Sequence, residues 1–425
     1  MLAVADMVGT GVFTSLGFQV RDIPSGFALL MLWAVGGVVA ACGALSYAEL
    51  AAAFPRSGGE YNFLSRSFHP AMGFLAGWIS ATVGFAAPVA LAAIAFGQYF
   101  AGAVPGAPAL ALGLGITALI TLVHLGGVHG SSLLQNVSTF LKLGLIVAFI
   151  IAGLIWGDTQ AVSFMPAAED IGYLGSAPFA ISLVFVLYAY SGWNAATYIA
   201  GEIKDVQRSL PRAIIGSLGI VTLLYILLNA VFLRAAPMNE LAGQIDVGLI
   251  AGRHIFGEAG GRIVAGLICA GLVSSISAMM WIGPRVTMVM GEDIPLLRFF
   301  ARKSPAGVPV TAIVFQFLVA AALMLTRSFE SVLDFIQFAL TLSSFMTVLG
   351  VIVLRWRQPD LPRPYKAWAY PVTPFIFLLV TLFVLVHLAA GRPLQSLASF
   401  CTMLAGLLIY ALSVRHGRRT LQETT

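Results

Sequence analysis

Charge is the scarcest commodity in this chain. Of 425 residues only 41 carry a formal charge, 23 Lys or Arg and 18 Asp or Glu, which is 10% against roughly 25% in soluble domains. That shortage excludes a soluble enzyme and a disordered protein. Cysteine is nearly absent too: Cys42, Cys269 and Cys401 all sit in apolar stretches, so no disulfide framework is expected. Six histidines are scattered, and the nearest pair, His124 and His129, is five apart, a spacing that does not stack two ligands on one helical face. No metal and no cofactor is expected. No Gly-x-x-x-x-Gly-Lys-[Ser/Thr] run occurs, so nothing in the chain would burn ATP. The first residues lack a basic segment before their apolar stretch and include Asp6, which excludes a signal peptide.

What is abundant is apolar surface. Hydrophobic residues make up 59% of the chain, and at about 20 residues per crossing they would furnish about twelve membrane spans joined by short loops. Apolar runs between charged or Gly/Pro punctuation place these at 1–20, 25–51, 70–101, 108–127, 132–156, 177–200, 211–235, 259–288, 308–326, 331–355, 371–390 and 395–414. Helix is the expected state, because an unclosed sheet leaves backbone groups unsatisfied in lipid. With the N-terminus in the cytoplasm, the inner loops and tail hold 16 of the 23 basic residues and the outer side 6, with Lys142 left inside a span. The bias predicts that both termini are cytoplasmic. It also accounts for the net charge of +5 without nucleic acid; lipid headgroups are the expected counterpart.

Two spans are interrupted. The first carries Gly9-Thr10-Gly11 near its middle, and the sixth carries Tyr188-Ala189-Tyr190-Ser191-Gly192-Trp193-Asn194. Close helix packing would also use small residues. However, these spans open two successive five-helix blocks, and broken helices at corresponding places point to an inverted-repeat transporter with its site at the midplane. Freed N–H groups at Thr10 and Gly11 suit a carboxylate. Freed carbonyls near Met7 and in the Tyr188–Ser191 stretch suit an ammonium. An α-amino acid satisfies both sets at once.

The residues of these breaks also carry a family resemblance. Val8-Gly9-Thr10-Gly11-Val12-Phe13 resembles the first-helix signature of the amino acid–polyamine–organocation superfamily. Tyr188 to Asn194, followed by Gly201-Glu202-Ile203-Lys204 and Leu210-Pro211-Arg212, resembles the sixth helix and next loop of its L-type amino acid transporters. Ser46-Tyr47-Ala48-Glu49-Leu50 and Phe54-Pro55-Arg56-Ser57-Gly58-Gly59-Glu60-Tyr61 resemble the end of its second helix and first inner loop. The resemblance implies an all-α polytopic fold of twelve helices. Residues 1–356 would form a 5+5 inverted-repeat core with helices 1 and 6 broken, and 357–425 would form helices 11 and 12 with a short tail.

Carried over residue by residue, the resemblance puts carboxylate-binding amides at Thr10 and Gly11 and amine-binding carbonyls at Met7, Tyr188 and Ser191. It puts the aromatic gate at Tyr188, where many relatives have Phe. Asn194 would contact substrate or tie the unwound segment together. The side-chain pocket would draw on spans 3, 6, 8 and 10, with Ser275 and Met279 as candidates. Lys142 lies deep in span 5, where an ammonium is costly unless paired. In sodium-driven relatives a cation bridges helices 1 and 8, and sodium-independent members place a lysine there. Lys142 with Ser275 or Ser274 would make this chain sodium-independent, with proton exchange by the lysine as a further role. Asp6 reads as a solvated residue at the inner mouth, and Glu49 as tied to the following loop or Arg56.

The expected function is sodium-independent alternating-access transport of small neutral L-amino acids, by exchange or proton symport, in the plasma membrane of a bacterial cell. Cationic amino acids or polyamines are the alternative cargo. A membrane-embedded enzyme would need an acid/base constellation that the spans lack, and a channel would want charged rings or a carbonyl filter. Animal relatives bond a heavy chain through a cysteine in the loop between helices 3 and 4. That loop, about Gly102 to Pro108, has none, so no disulfide-linked heavy chain is expected. Only eight residues precede Gly9, about 12 Å of helix, which suggests a trimmed or misassigned start. Oligomeric state is not legible.

Overall fold

The computed structural model describes residues 4, 7–56, 58–127, 131–157, 160–194, 197, 206–305, 307–326 and 328–423, with backbone alone for 131–139, 206–207 and 415–423. Among these the chain is helical and contains no strand. The principal helices are α1 (Thr10–Gln19), α2 (Gly26–Ala53), α3 (Glu60–Ser67), α4 (Pro70–Ile79), α5 (Ala86–Ala103), α6 (Ala109–Leu125) and α7 (Ser131–Trp156). They continue with α8 (Ala177–Tyr190), α9 (Val206–Ala235), α10 (Val247–Asp293), α11 (Val310–Met324), α12 (Phe329–Arg357), α13 (Val372–Gly391) and α14 (Pro393–Glu423). Seven helical stretches are long and apolar enough to cross a membrane, α4 and α5 counting as one, and four more apolar stretches run 10–17 residues. Leu154, Ile155, Trp156, Phe375, Leu379 and Leu408 are exposed, as befits surfaces whose solvent is lipid. This is a multi-pass membrane protein.

Helices in lipid gain nothing from hiding apolar side chains from water, so close packing and buried polar contacts must hold them together. Small residues let them approach. A Cβ on Gly36 of α2 would lie 2.3 Å from Val186 of α8, and one on Gly37 would lie 2.5 Å from Thr222 of α9. α1 is buried along its whole length. It is stitched to α8 by Ser15, which donates to the Phe185 carbonyl, and by Gln19, which donates to the Ser182 carbonyl, each at 3.3 Å. Tyr99 of α5 donates to the Phe13 carbonyl at 2.7 Å. Phe18 of α1 stacks on Phe185 and Phe329, with centroids 5.1 and 5.6 Å apart.

Several helices depart from regularity where backbone geometry demands it. A π-helical turn at Ser80–Gly84 separates α4 from α5. α10 kinks at Gly257, whose φ of 74° is a left-handed conformation open to glycine. α8 ends at Tyr190: Ser191 turns extended, and Gly192 follows at φ 99°.

Ion pairs gather at the two ends of α12. At its start Glu330 pairs with Arg21 (3.0 Å) and with Arg392, whose Nε also lies 3.1 Å from buried Asp334. At its end Arg355 grips Glu49 through two contacts of 2.9 and 2.6 Å. Arg363 adds a third at 3.5 Å, and the Ala367 amide donates to the same carboxylate at 2.6 Å. The expected tie from Glu49 to Arg56 is therefore not formed. Arg56 is held instead by Asp293, at 2.9 Å, because α10 ends at that residue beside the loop that follows α2. Glu49 is almost fully buried, so Arg355→Ala strands a desolvated carboxylate with only part of its compensation. We expect a loss toward the low end of roughly 3–5 kcal/mol, read as a lower unfolding temperature in detergent. Arg355→Lys should recover part of it.

Candidate functional site

The break before α1 is a short non-helical stretch. Gly9 adopts φ −131°, ψ −143° and supplies no side-chain cap, so α1 begins with free N–H groups. Those belong to Thr10 and its successors, where an anion is electrostatically favoured. The Gly9 amide turns back onto the Met7 carbonyl at 2.8 Å. Gly11 has no room for a side chain, since a Cβ there would sit 2.4 Å from the Ala189 Cα. That contact sets the start of α1 directly against the end of α8, so the two interrupted helices meet at their breaks.

Lys142 spans this junction. Its Nζ donates to the Val8 carbonyl in the break and to the Ser275 hydroxyl of α10, both at 3.0 Å, and the residue is 3% exposed. Gly271, one turn before Ser275, leaves the passage: a Cβ there would crowd the lysine stem at 3.1 Å. Ser275 is the partner. Ser274 is buried with its hydroxyl unpartnered among the described residues. With its hydroxyl engaged by Lys142, Ser275 does not line the cavity, whereas Met279 does.

Two of the three carbonyls named from the sequence, those of Met7 and Tyr188, are already engaged. The Met7 oxygen accepts a 2.6 Å bond from the Tyr225 hydroxyl of α9 as well as the Gly9 amide. Tyr225 also lies 3.1 Å from the Ala189 oxygen, so one side chain ties the two breaks together. The Tyr188 oxygen accepts from the Ser191 amide (2.9 Å) and the Ser191 hydroxyl (2.6 Å). Tyr225 was missed in the sequence. Its only signal was a tyrosine within an otherwise apolar span.

Beside the junction is a cavity of about 110 Å³. Its walls are the unwound segment Ser191–Asn194, the π-helical turn at Ser80 and Gly84, Met279 of α10, and Gln337, Thr341 and Ser344 of α12, with apolar cover from Phe85, Leu340 and Phe377. Ser191 and Asn194 line it, whereas Met7, Thr10, Gly11 and Tyr188 pack behind that surface. Asp6 lies outside the described residues, as does His129. No His/Cys/Asp/Glu group suited to a metal occurs among the described residues.

Glu60, the first residue of α3, also lines the cavity. It is 2% exposed, and hydroxyls of Tyr47, Ser343 and Ser344 and the amide of Asn194 (3.5 Å) all donate to it. The sequence showed Glu60 only as part of a loop motif; its burial needed α2, α12 and the unwound segment to converge. Among the described residues no cation pairs with it. Burial pushes its carboxyl above the ordinary value of 4.5, and the four donors pull part of the way back.

A buried junction of two interrupted helices, a lysine across it and an adjoining cavity with a few polar groups in an apolar wall describe a membrane carrier rather than a catalyst. The chain belongs to the amino acid permease family, whose model matches residues 1–412. It is similar to the mouse b(0,+)-type amino acid transporter 1, at 29% identity over 97% of this chain and 86% of the relative. It is similar also to the mouse large neutral amino acids transporter small subunit 2, at 27% over 97% and 79%. The serine/threonine exchanger SteT of Bacillus subtilis (strain 168) is 27% identical over 96% and 94%. The protein is an amino acid transporter and not an enzyme.

The Glu60 environment has a pH signature. A carboxyl whose folded pKa is raised holds its proton at pH values where the unfolded chain has lost it. Its contribution therefore favours the fold at low pH and declines as pH rises from about 4.5 through the folded value. Glu60→Gln removes that dependence. Between pH 5 and pH 8 the unfolding temperature of the wild type should fall further than that of the variant; parallel profiles would contradict the assignment.

Proposed function

We propose that this transporter moves small neutral L-amino acids by alternating access without sodium, as an exchanger or proton-coupled symporter. In this reading the chain crosses the membrane twelve times with both termini in the cytoplasm. Residues 1–356 form a 5+5 inverted-repeat core, and 357–425 add the last two helices and a short tail. The setting is a plasma membrane, a bacterial inner membrane in the first instance, and SteT is a bacterial relative. No disulfide-linked heavy chain is required, since the loop from Gly102 to Pro108 lacks cysteine.

The observation that carries this reading is Lys142. Its ammonium joins the Val8 carbonyl in the first break to Ser275 on α10, the two places a sodium ion would bridge in sodium-driven relatives. A fixed positive charge there makes a second cation unfavourable. The substrate carboxylate then takes the free amides at Thr10 and Gly11, and its ammonium takes carbonyls around Met7, Tyr188 and Ser191. Asn194 closes the far side. A cationic substrate is less favoured, because the one carboxylate in the cavity wall among the described residues, Glu60, already has four donors.

Uptake into proteoliposomes should be unchanged when choline replaces sodium, and Lys142→Met should fall to background while the protein still purifies folded. Gly11→Val should abolish binding, and an amino acid methyl ester should compete poorly for want of the charge-assisted bonds of a free carboxylate. Sodium-stimulated uptake would refute the lysine assignment, and undiminished competition by the ester would refute the carboxylate assignment.

A further inference from the structure

Gln337 stands out in the cavity wall. It lies on α12, is 4% exposed, and its Oε1 has no hydrogen-bond partner among the described residues. Buried amides are nearly always paired, because an unpaired one forfeits its bonds to water and gains nothing in return. Among the described residues with such an unpaired atom, Gln337 alone also lines the cavity. Gln337 shares its helix face with Thr341 and Ser344, at spacings of four and three, and all three line the cavity. The unwound segment Ser191–Asn194 lines the same cavity.

We propose that Gln337 is the specificity-determining residue for the side chain of the transported amino acid, selecting hydroxyl and carboxamide side chains over apolar ones of the same shape. This rests on the proposed function: with the ammonium and carboxylate of the substrate held at the helix breaks, its side chain extends toward the α12 wall. A carboxamide offers two donors and one acceptor whichever way its oxygen and nitrogen are placed, so it complements a hydroxyl or a second carboxamide. Glu60 does not compete for that role, because Tyr47, Ser343, Ser344 and Asn194 already occupy its oxygens. Phe85, Leu340 and Phe377 accept the hydrocarbon part of such a side chain. An apolar pocket alone discriminates weakly between isosteres, whereas a site with a buried polar group rejects the isostere that cannot bond to it.

The test uses the full-length protein in proteoliposomes and isosteric pairs of labelled substrates, L-threonine with L-valine and L-asparagine with L-leucine, each at the same low concentration. The wild type should take up the polar member of each pair at least about tenfold faster. Gln337→Leu should collapse that ratio by slowing threonine and asparagine while leaving valine and leucine unchanged or faster. Equal wild-type uptake within the pairs would overturn the inference while leaving amino acid transport intact, and it needs no variant to fold. A Gln337→Leu protein that keeps the wild-type ratio would overturn it as well. If none of the four enters above protein-free vesicles but other neutral amino acids do, the selectivity is wrong and the function stands. If no amino acid enters at all, the proposed function falls and takes this inference with it.

Discussion

Everything in this molecule follows from the cost of leaving a backbone amide or carbonyl unpaired away from water, several kcal/mol per group in hydrocarbon. A chain that interrupts its helices within the apolar interior must bring partners to the interruption. The partners here are side chains from other helices. Lys142 on α7 takes the Val8 oxygen, and Tyr225 on α9 takes the oxygens of Met7 and Ala189. Each of these residues is itself polar and buried, so the relation is mutual: the breaks need the lysine and tyrosine, and the break carbonyls give each of them an acceptor. Ser275 completes the circuit by linking Lys142 to α10.

The charges at the two ends of α12 answer a different requirement. Glu330 and Asp334 lie at one end and Arg355 at the other, about 32 to 38 Å apart at 1.5 Å per residue, so the pairs fall near opposite faces of the apolar slab. Each set joins α12 to elements distant in sequence: Arg21 and Arg392 on one side, Glu49, Arg363 and the Ala367 amide on the other. The aromatic stack of Phe18, Phe185 and Phe329 lies near the Glu330 end, and Glu60 with Ser343 and Ser344 lies near the middle of α12, in the cavity wall. The two sets differ in what parting them costs: the Arg21–Glu330 pair is solvated, so solvent offsets most of its loss, whereas the Glu49 cluster is buried and expensive to break.

The helical architecture was readable because it rests on signals along the chain: long apolar runs, scarce charge, and glycine-interrupted spans at corresponding positions. The lysine with its α10 partner was readable for a related reason, since an isolated ammonium in an apolar span has to be explained. Other features depend on which helices meet, and a single sequence does not encode that locally. Glu49 reads as tied to the backbone of the following loop or to Arg56, seven residues away, when its partners are Arg355 and Arg363. Glu60 sat in a recognised motif, yet its burial depends on Tyr47, Asn194, Ser343 and Ser344, from three separate segments. Tyr225 and Gln337 gave even less warning, because a single tyrosine or glutamine in a span becomes informative only when its neighbours are known.

The engaged carbonyls at the breaks bear on how a ligand ammonium can enter. Tyr225 has a single hydroxyl proton, so its bonds to the Met7 and Ala189 oxygens compete for it. If a ligand donor arrives at Met7, the tyrosine can turn wholly to Ala189, and no hydrogen bond is lost overall. Ser191 offers the same exchange at the Tyr188 oxygen, which keeps the Ser191 amide if the hydroxyl turns away. These carbonyls are thus held by hydroxyls that, under the proposed function, a substrate ammonium would replace one for one, leaving the backbone at the junction of α1 and α8 satisfied in either case.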